Sequence, residues 1–218
     1  MKLVNVFEKA QVQTILNALA SIDYNDGRIT AKGHAKTIKD NWQITEDVVA
    51  AQPLFKKIRQ VLQTADFFVN YAAPKAVVGL RFAKYQESGY YGWHVDMAHM
   101  NGFRTDMSFT LFLSDKDEYD GGELELDFGQ YKQKVKGAAG QMFIYPTGVL
   151  HQVTPVTRGD RIVLVGWICS RIPNAEDREA LFSLMQESGR LGKLVQNPED
   201  MKKMSWLLQY FTRRLSEG

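Results

Sequence analysis

The chain has 218 residues, 44% apolar and 24% charged, with a formal charge of +2 at neutral pH. That length supports one well-buried core with small additions at its ends, and so balanced a charge gives no general attraction to nucleic acid or an anionic membrane. The one cysteine, Cys169, rules out an intrachain disulfide, and no run reaches the ~18 apolar residues needed to span a bilayer.

In chain order, the segment Met1 to Asn5 lacks the apolar core of a secretory signal, so a soluble cytoplasmic protein is expected. Val12, Ile15, Leu16 and Leu19 follow Phe7 at helical spacing and predict a helix with one buried face. The polar, glycine-containing stretch 23–41 predicts loop or short extended pieces. A second helix is expected to open near Thr45-Glu46-Asp47, where a capping hydroxyl precedes two acids, and to run through Leu54, Ile58, Val61 and Leu62. Pro53 should kink or restart it. Residues 1–66 therefore read as a helical support region.

From about Phe67 to residue 172 the pattern is that of a mainly β core. Short β-branched and aromatic runs predict strands at 77–85, 90–95, 107–113, 123–128, 131–136, 141–145 and 161–169. Asp120-Gly121-Gly122 and 137–140 read as hairpin-type turns. Many short strands suggest a sandwich or barrel rather than a βαβ sheet. Cys169, in the apolar run 162–169, reads as a buried, inert thiol. Residues 173–218 return to helical spacing, with Asn197-Pro198 as a cap and first turn. Met201, Met204, Leu208, Phe211 and Leu215 form an apolar stripe that predicts core packing or, equally, packing on another subunit as a homo-oligomer.

His94-Val95-Asp96 lies where a strand should end. Positions i and i+2 share a strand face, so imidazole and carboxylate can converge on one ion, although a surface pair with no ligand role gives the same spacing. His151, just past the strand at 141–145, adds a second imidazole. Two histidines and one carboxylate make the facial set that leaves three positions open on Fe(II). Zinc hydrolases also offer three ligands but favour tetrahedral geometry with one open position. Oxygen chemistry needs two positions for a chelating 2-oxo acid and one for O2.

Arg161 opens a strand so apolar that its charge calls for a buried anion, and its planar fork suits a carboxylate. Pairing with a structural acid such as Asp160 is the other possibility. Val163, Val165 and Trp167 share its strand face, which would make Trp167 a floor of the same cavity. His99 lies outside the strand parity, at the cavity mouth or in solvent, and His34 sits in the polar loop without a partner.

With these residues in place, RFAKYQESGYYGWHVD (Arg81 to Asp96), DMSFTLFLSDKDEYDGGELEL (Asp106 to Leu126) and GQMFIYPTGVLHQVTPVTRGDRIVLVGW (Gly140 to Trp167) resemble the prolyl-hydroxylase catalytic domain. DGRITAKGHAKTIKDNWQ (Asp26 to Gln43) and SRIPNAEDREALFSL (Ser170 to Leu184) narrow the resemblance to bacterial PKHD-type hydroxylases. It implies a double-stranded β-helix, or jelly roll, with helices packed around it. It also implies Fe(II), 2-oxoglutarate as cosubstrate and L-ascorbate to keep the iron reduced. His94, Asp96 and His151 match the iron ligands, and Arg161 matches the residue that pairs with the distal 2-oxoglutarate carboxylate. Tyr85 matches a tyrosine that bonds the cosubstrate, and Trp167 the pocket tryptophan. Animal members place a tyrosine where this chain has Phe112, so another group must supply that polar contact; Thr110 shares the strand face.

The resemblance implies oxidative decarboxylation of 2-oxoglutarate to succinate and CO2, coupled to hydroxylation of a peptidyl or free amino acid C–H. A halogenase of this fold would lack the carboxylate that Asp96 supplies. A cupin-like metalloprotein and a catalytically silent sensor of iron or 2-oxoglutarate remain as alternatives. The segments expected to frame the cavity mouth, 97–105 and 114–121, carry no legible substrate code, so the substrate rests on fold-level analogy.

Overall fold

The computed structural model of the chain describes residues 1–31, 33–194 and 197–216. Position 32 of the N-terminal polar stretch and positions 195–196 and 217–218 of the C-terminal region therefore lie outside the described residues. Lys2–Asn5 forms a strand, β1, unforeseen from its local pattern, which pairs with residues 141–144. The first expected helix is α1 (Lys9–Leu19), with Val12, Ile15 and Leu19 buried. A capping box starts it: the Glu8 N–H donates to the Gln11 side chain at 2.8 Å. The polar stretch holds two short strands, β2 (Asn25–Asp26) and β3 (Lys39–Asp40), around two single-turn 3-10 helices, as expected.

The second helix begins later than its sequence suggested. Trp42–Thr45 is a strand, β4, paired with residues 81–84, and α2 spans Gln52–Thr64 with Pro53 in its first turn. This is the restart expected at Pro53 and not the kink, because its missing N–H falls where no intrahelical bond is made. A second correction concerns Asp66–Ala72, which is helical (α3) where strand character was expected. Phe68, Tyr71 and Ala72 recur at helical spacing and are buried, and the strands begin at β5 (Pro74–Tyr85).

Every strand expected between residues 77 and 169 is present. After β5 come β6 (Tyr90–His94), the small hairpin β7 (His99–Met100) and β8 (Phe103–Arg104), and β9 (Met107–Phe112). They are followed by β10 (Asp120–Gly121), β11 (Leu124–Asp127), β12 (Lys132–Val135) and β13 (Gln141–Pro146). The series ends with β14 (Leu150–Val153), β15 (Val156–Arg158) and β16 (Arg161–Ser170). A seven-stranded sheet has the order β1-β13-β9-β16-β5-β4-β2, and a five-stranded sheet the order β12-β11-β14-β6-β3. The chain passes repeatedly from one antiparallel sheet to the other, which makes a jelly roll.

That crossing corrects the turn assignments. The connections through Asp120-Gly121-Gly122 and through 137–140 run between sheets and are not hairpins. Besides the β7–β8 hairpin, a tight turn joins β11 to β12, where Gly129 takes φ +79° and the Phe128 N–H bonds the Tyr131 carbonyl at 3.0 Å.

Successive side chains of a strand face opposite ways, so the seven-stranded sheet feeds two cores. Phe82, Phe109, Leu111 and Leu164 pack against buried residues of α1, α2 and α3, whereas Phe112, Phe143 and Val163 pack with Leu124, Leu126 and Val153 of the other sheet. Helices α4 (Ala175–Leu191) and α5 (Pro198–Leu215) follow, capped by Asn174 and, as expected, by Asn197. The α5 stripe is not core. None of its residues is buried, and Met201 and Phe211 are exposed together with Trp206 and Tyr210, because α5 packs chiefly on α4 and not on a sheet. No helix among the described residues is long and apolar enough to cross a membrane.

Candidate metal centre

In the five-stranded sheet β6 pairs with β14, and His94 is the direct partner of His151. Antiparallel pairing brings such side chains together, and the two rings stand 4.3 Å apart centre to centre. Asp96, two residues past the end of β6, turns its carboxylate between them. Oδ1 lies 3.7 Å from His94 Nε2, and Oδ2 lies 3.7 Å from His151 Nε2. One ligand atom from each residue falls within 4.8 Å of the other two.

Both imidazoles are held from behind. His94 Nδ1 is 2.7 Å from the Gly92 carbonyl, and His151 Nδ1 is 2.9 Å from the Val149 carbonyl. A carbonyl only accepts, so each Nδ1 carries the proton and each Nε2 lone pair is left for an ion. Burial first, and His151 next, lower the His94 pKa to about 4, so the ring is neutral at pH 7. Asp96 Oδ2 accepts from Ser108 Oγ at 2.8 Å and from Trp167 Nε1 at 2.9 Å, which fixes the carboxylate. Tyr91 stacks on His94 at 3.6 Å, and the Tyr145 ring stands edge-on to His151 at 5.3 Å.

Arg161 opens β16 opposite Tyr85 and is 1% exposed. Its guanidinium carbon lies 5.0 Å from the centre of the Tyr85 ring and 5.8 Å from that of Phe112. Among the described residues neither Nε nor Nη1 has an acceptor. Asp160 pairs with Lys84 instead, at 2.7 Å. Gly122, at φ +63°, makes the room that Arg161 needs, since a Cβ there would stand 2.9 Å from Arg161 Cδ. A buried guanidinium with unmade hydrogen bonds is costly, and a carboxylate ligand fits its fork.

One cavity of about 200 Å³ joins these groups, with Tyr85, Thr110, Val165 and Trp167 in its lining beside Arg161 and the His-Asp-His cluster. Trp167 reaches it across a bulge in the β5–β16 pairing. Gly79, at φ +64° on β5, leaves the space, because a Cβ there would stand 3.0 Å from the indole. Of the expected mouth segments, 97–105 contributes Met97 and Met100, but no residue of 114–121 lines the cavity. Thr30, Ala35, Lys39 and Gln43 form a wall in their place. His99 and His34 are exposed and stay outside the cavity, with Thr37 Oγ1 lying 3.3 Å from His34 Nδ1.

Reading the chain alone missed Ser108, Tyr145, Lys39 and Gln43. Ser108 had a usable signal, a hydroxyl in an otherwise apolar strand two residues from Thr110. Lys39 and Gln43 had none, since they sit among other polar residues without periodicity.

A jelly roll carrying two histidines, an aspartate and a buried arginine with free donors defines a class, the 2OG-Fe(II) oxygenases, and residues 80–169 match the 2OG-Fe(II) oxygenase superfamily. The fold is also that of an oxidoreductase of the 2OG-Fe(II) oxygenase family from Burkholderia pseudomallei, with a TM-score of 0.60, 18% identity, and 74% of this chain and 80% of that one covered. A Pseudomonas putida prolyl-4-hydroxylase gives 0.56 at 19% identity, over 78% of this chain and 92% of its own. A PKHD-type hydroxylase of Picosynechococcus sp. is 39% identical over 183 residues, which are 84% of each chain. The chain belongs to the PKHD-type hydroxylase family. It is an Fe(II)- and 2-oxoglutarate-dependent dioxygenase, and the cupin-like and silent-sensor alternatives are set aside.

Proposed function

We propose that His94 and His151, through Nε2, and Asp96 hold the Fe(II), that Arg161 takes the distal carboxylate of 2-oxoglutarate, and that Tyr85, Thr110 and Trp167 complete the cosubstrate pocket. The observation that carries this is Arg161, a nearly inaccessible guanidinium with two unpaired nitrogens in the cavity of the His-Asp-His cluster. When bound, Fe(II) supplies the redox chemistry that couples decarboxylation of 2-oxoglutarate to hydroxylation of a substrate C–H.

The side chains bind and orient. The carbonyls of Gly92 and Val149 hold the two imidazoles in one tautomer, while Ser108 and Trp167 hold the Asp96 carboxylate. Held by His94, His151 and Asp96, Fe(II) would keep positions free for cosubstrate and O2. Arg161 anchors the far end of 2-oxoglutarate between two aromatic rings, where a low local dielectric strengthens the ion pair.

The primary substrate in this reading is a peptidyl or free amino acid, ascorbate keeps the iron reduced, and the enzyme works in the cytoplasm. Residues 1–66 support the core, 67–172 carry the chemistry, and the exposed apolar side chains of α5 serve self-association. Purified protein given Fe(II), 2-oxoglutarate and O2 should release succinate slowly without any primary substrate, and ascorbate should prolong the release. Metal-loaded protein that releases none overturns the site assignment.

A further inference from the structure

Lys39 is a second buried cation of the cavity, and the proposed cosubstrate site makes no use of it. It is 5% exposed, lines the N-terminal wall and lies with its ammonium 4.8 Å from the centre of the Tyr91 ring. The ammonium donates to Thr30 Oγ1 at 3.0 Å, and Thr30 is itself held by the Gly27 carbonyl and Gln43 Oε1. An ammonium has three donors. Among the described residues this one meets no other acceptor and no carboxylate.

Charge makes the same point. Lys39, Arg81 and Arg161 are basic residues of the cavity lining, and Asp96 is the one carboxylate among the described residues there. Fe(II) and 2-oxoglutarate bring equal and opposite charges, so binding both leaves the basic excess unanswered. Arg161 stands on β16, between β9 and β5, whereas Lys39 stands on β3, paired to the strand that carries His94. The two cations thus occupy different sheets, and burial, with Arg81 next, lowers the Lys39 pKa to about 7. A neighbouring anion would raise it again.

We propose that Lys39 anchors a carboxylate of the primary substrate, separate from the 2-oxoglutarate carboxylate on Arg161. This rests on the metal and cosubstrate assignment made above. The substrate class narrows to acids: a free amino acid held by its α-carboxylate, or a peptide held by an aspartate or glutamate side chain.

The test uses full-length protein loaded anaerobically with Mn(II) and saturating 2-oxoglutarate. Thermal shifts are read with four probe sets: the free L-amino acids, the same amino acids as C-terminal amides, acetylated, amidated tripeptides containing Asp or Glu, and the same tripeptides with Asn or Gln in their place. At least one carboxylate probe should shift the wild type, and its neutral counterpart should not. Lys39→Met should weaken that probe by about 30-fold or more, the loss typical of truncating a buried charge pair. Lys39→Arg should retain most of the binding. A response confined to free amino acids assigns the α-carboxylate, and one confined to the tripeptides assigns the acidic side chain.

Lys39→Met should fold at least as stably as the wild type, because it removes an unpaired buried charge. It should also keep the shifts produced by Mn(II) and by 2-oxoglutarate. If no carboxylate probe shifts the wild type, or if Lys39→Met binds the probe unchanged, the proposal is overturned. It is equally overturned if Lys39→Met loses 2-oxoglutarate instead of the probe. Failure of the underlying assignment looks different: the wild type would then show no 2-oxoglutarate shift at all.

Discussion

The cavity has two walls of different make. On one, residues are set by paired backbone: His94 opposite His151 and Arg161 opposite Tyr85, each in an antiparallel strand pair that carries a bulge further along. On the other, Thr30, Ala35 and Lys39 come from two single helical turns and a two-residue strand, tied by side-chain bonds such as Thr30 to Gln43 of β4 at 2.7 Å. A ladder cannot shift one residue without turning every side chain to the opposite face, whereas a short irregular segment can change one side chain at a time. Under the proposed assignment, the metal and cosubstrate contacts fall chiefly on the first wall and the substrate anchor on the second.

The sharpest way to break that division is Asp96→Ala. Removal of the proposed direct ligand should exceed the roughly 10- to 100-fold loss in metal affinity typical of changes one layer further out. Elemental analysis of the purified variant checks this, and full iron occupancy would remove Asp96 from the ligand set. Next comes Arg161→Ala, which should keep the metal and bind 2-oxoglutarate roughly 30- to 3,000-fold more weakly. With Mn(II) present anaerobically, the wild type at 100 times the dissociation constant of 2-oxoglutarate should gain about 2.7 kcal/mol of stability. The variant should lose most of that gain and keep the metal-induced one; survival of both would make Arg161 structural.

The ladder wall was also the legible wall. His94 and Asp96 share a strand parity and Arg161 is a charge heading an apolar run, so local chemistry marked all three before any pairing was known. The Asp96 carboxylate is held by Ser108 and Trp167, from strands β9 and β16, and that meeting depends on tertiary pairing. The same reason hid β1, whose partner strand lies about 140 residues on, and made Asp120-Gly121-Gly122 look like a hairpin. Gly122 is needed for the space beside Arg161 and not for a tight turn. Lys39 lies in a polar stretch where lysine is ordinary, and only burial makes it unusual.

Trp167→Phe probes how strongly the ladder wall supports the ion. It keeps most of the ring but deletes the Nε1 donor to Asp96 Oδ2, so metal affinity should fall roughly 10- to 100-fold. Ser108 still holds the same oxygen, which should keep the loss below that of Asp96→Ala. A metal titration followed by competition with a chelator gives the ratio, and equal losses in the two variants would mean that Trp167 supports the fold of the site.

The smallest effect compares the two walls by titration, in metal-free protein. Each wall holds a base whose pKa burial lowers: Lys39 from 10.5 to about 7 and His94 from 6.5 to about 4. A base with a lowered folded pKa binds its proton more readily in the unfolded chain, so stability is lost as pH falls through the window between the two values. Lys39 should therefore cost stability as pH falls from 9 to 7, on the order of 2 kcal/mol. His94 should add a further loss of about 1 kcal/mol between pH 7 and 5.5. For a chain of this length the latter is roughly 2–4 °C in Tm. The scan stops at pH 9 because Tyr24, raised to about 12 by burial, would add an opposing trend in more alkaline solution. Lys39→Met should flatten the alkaline limb and leave the acid limb in place. If the alkaline limb survives the substitution, another group causes it and Lys39 is not held as a strained cation; if both limbs flatten, the two walls are coupled, and the division between them fails.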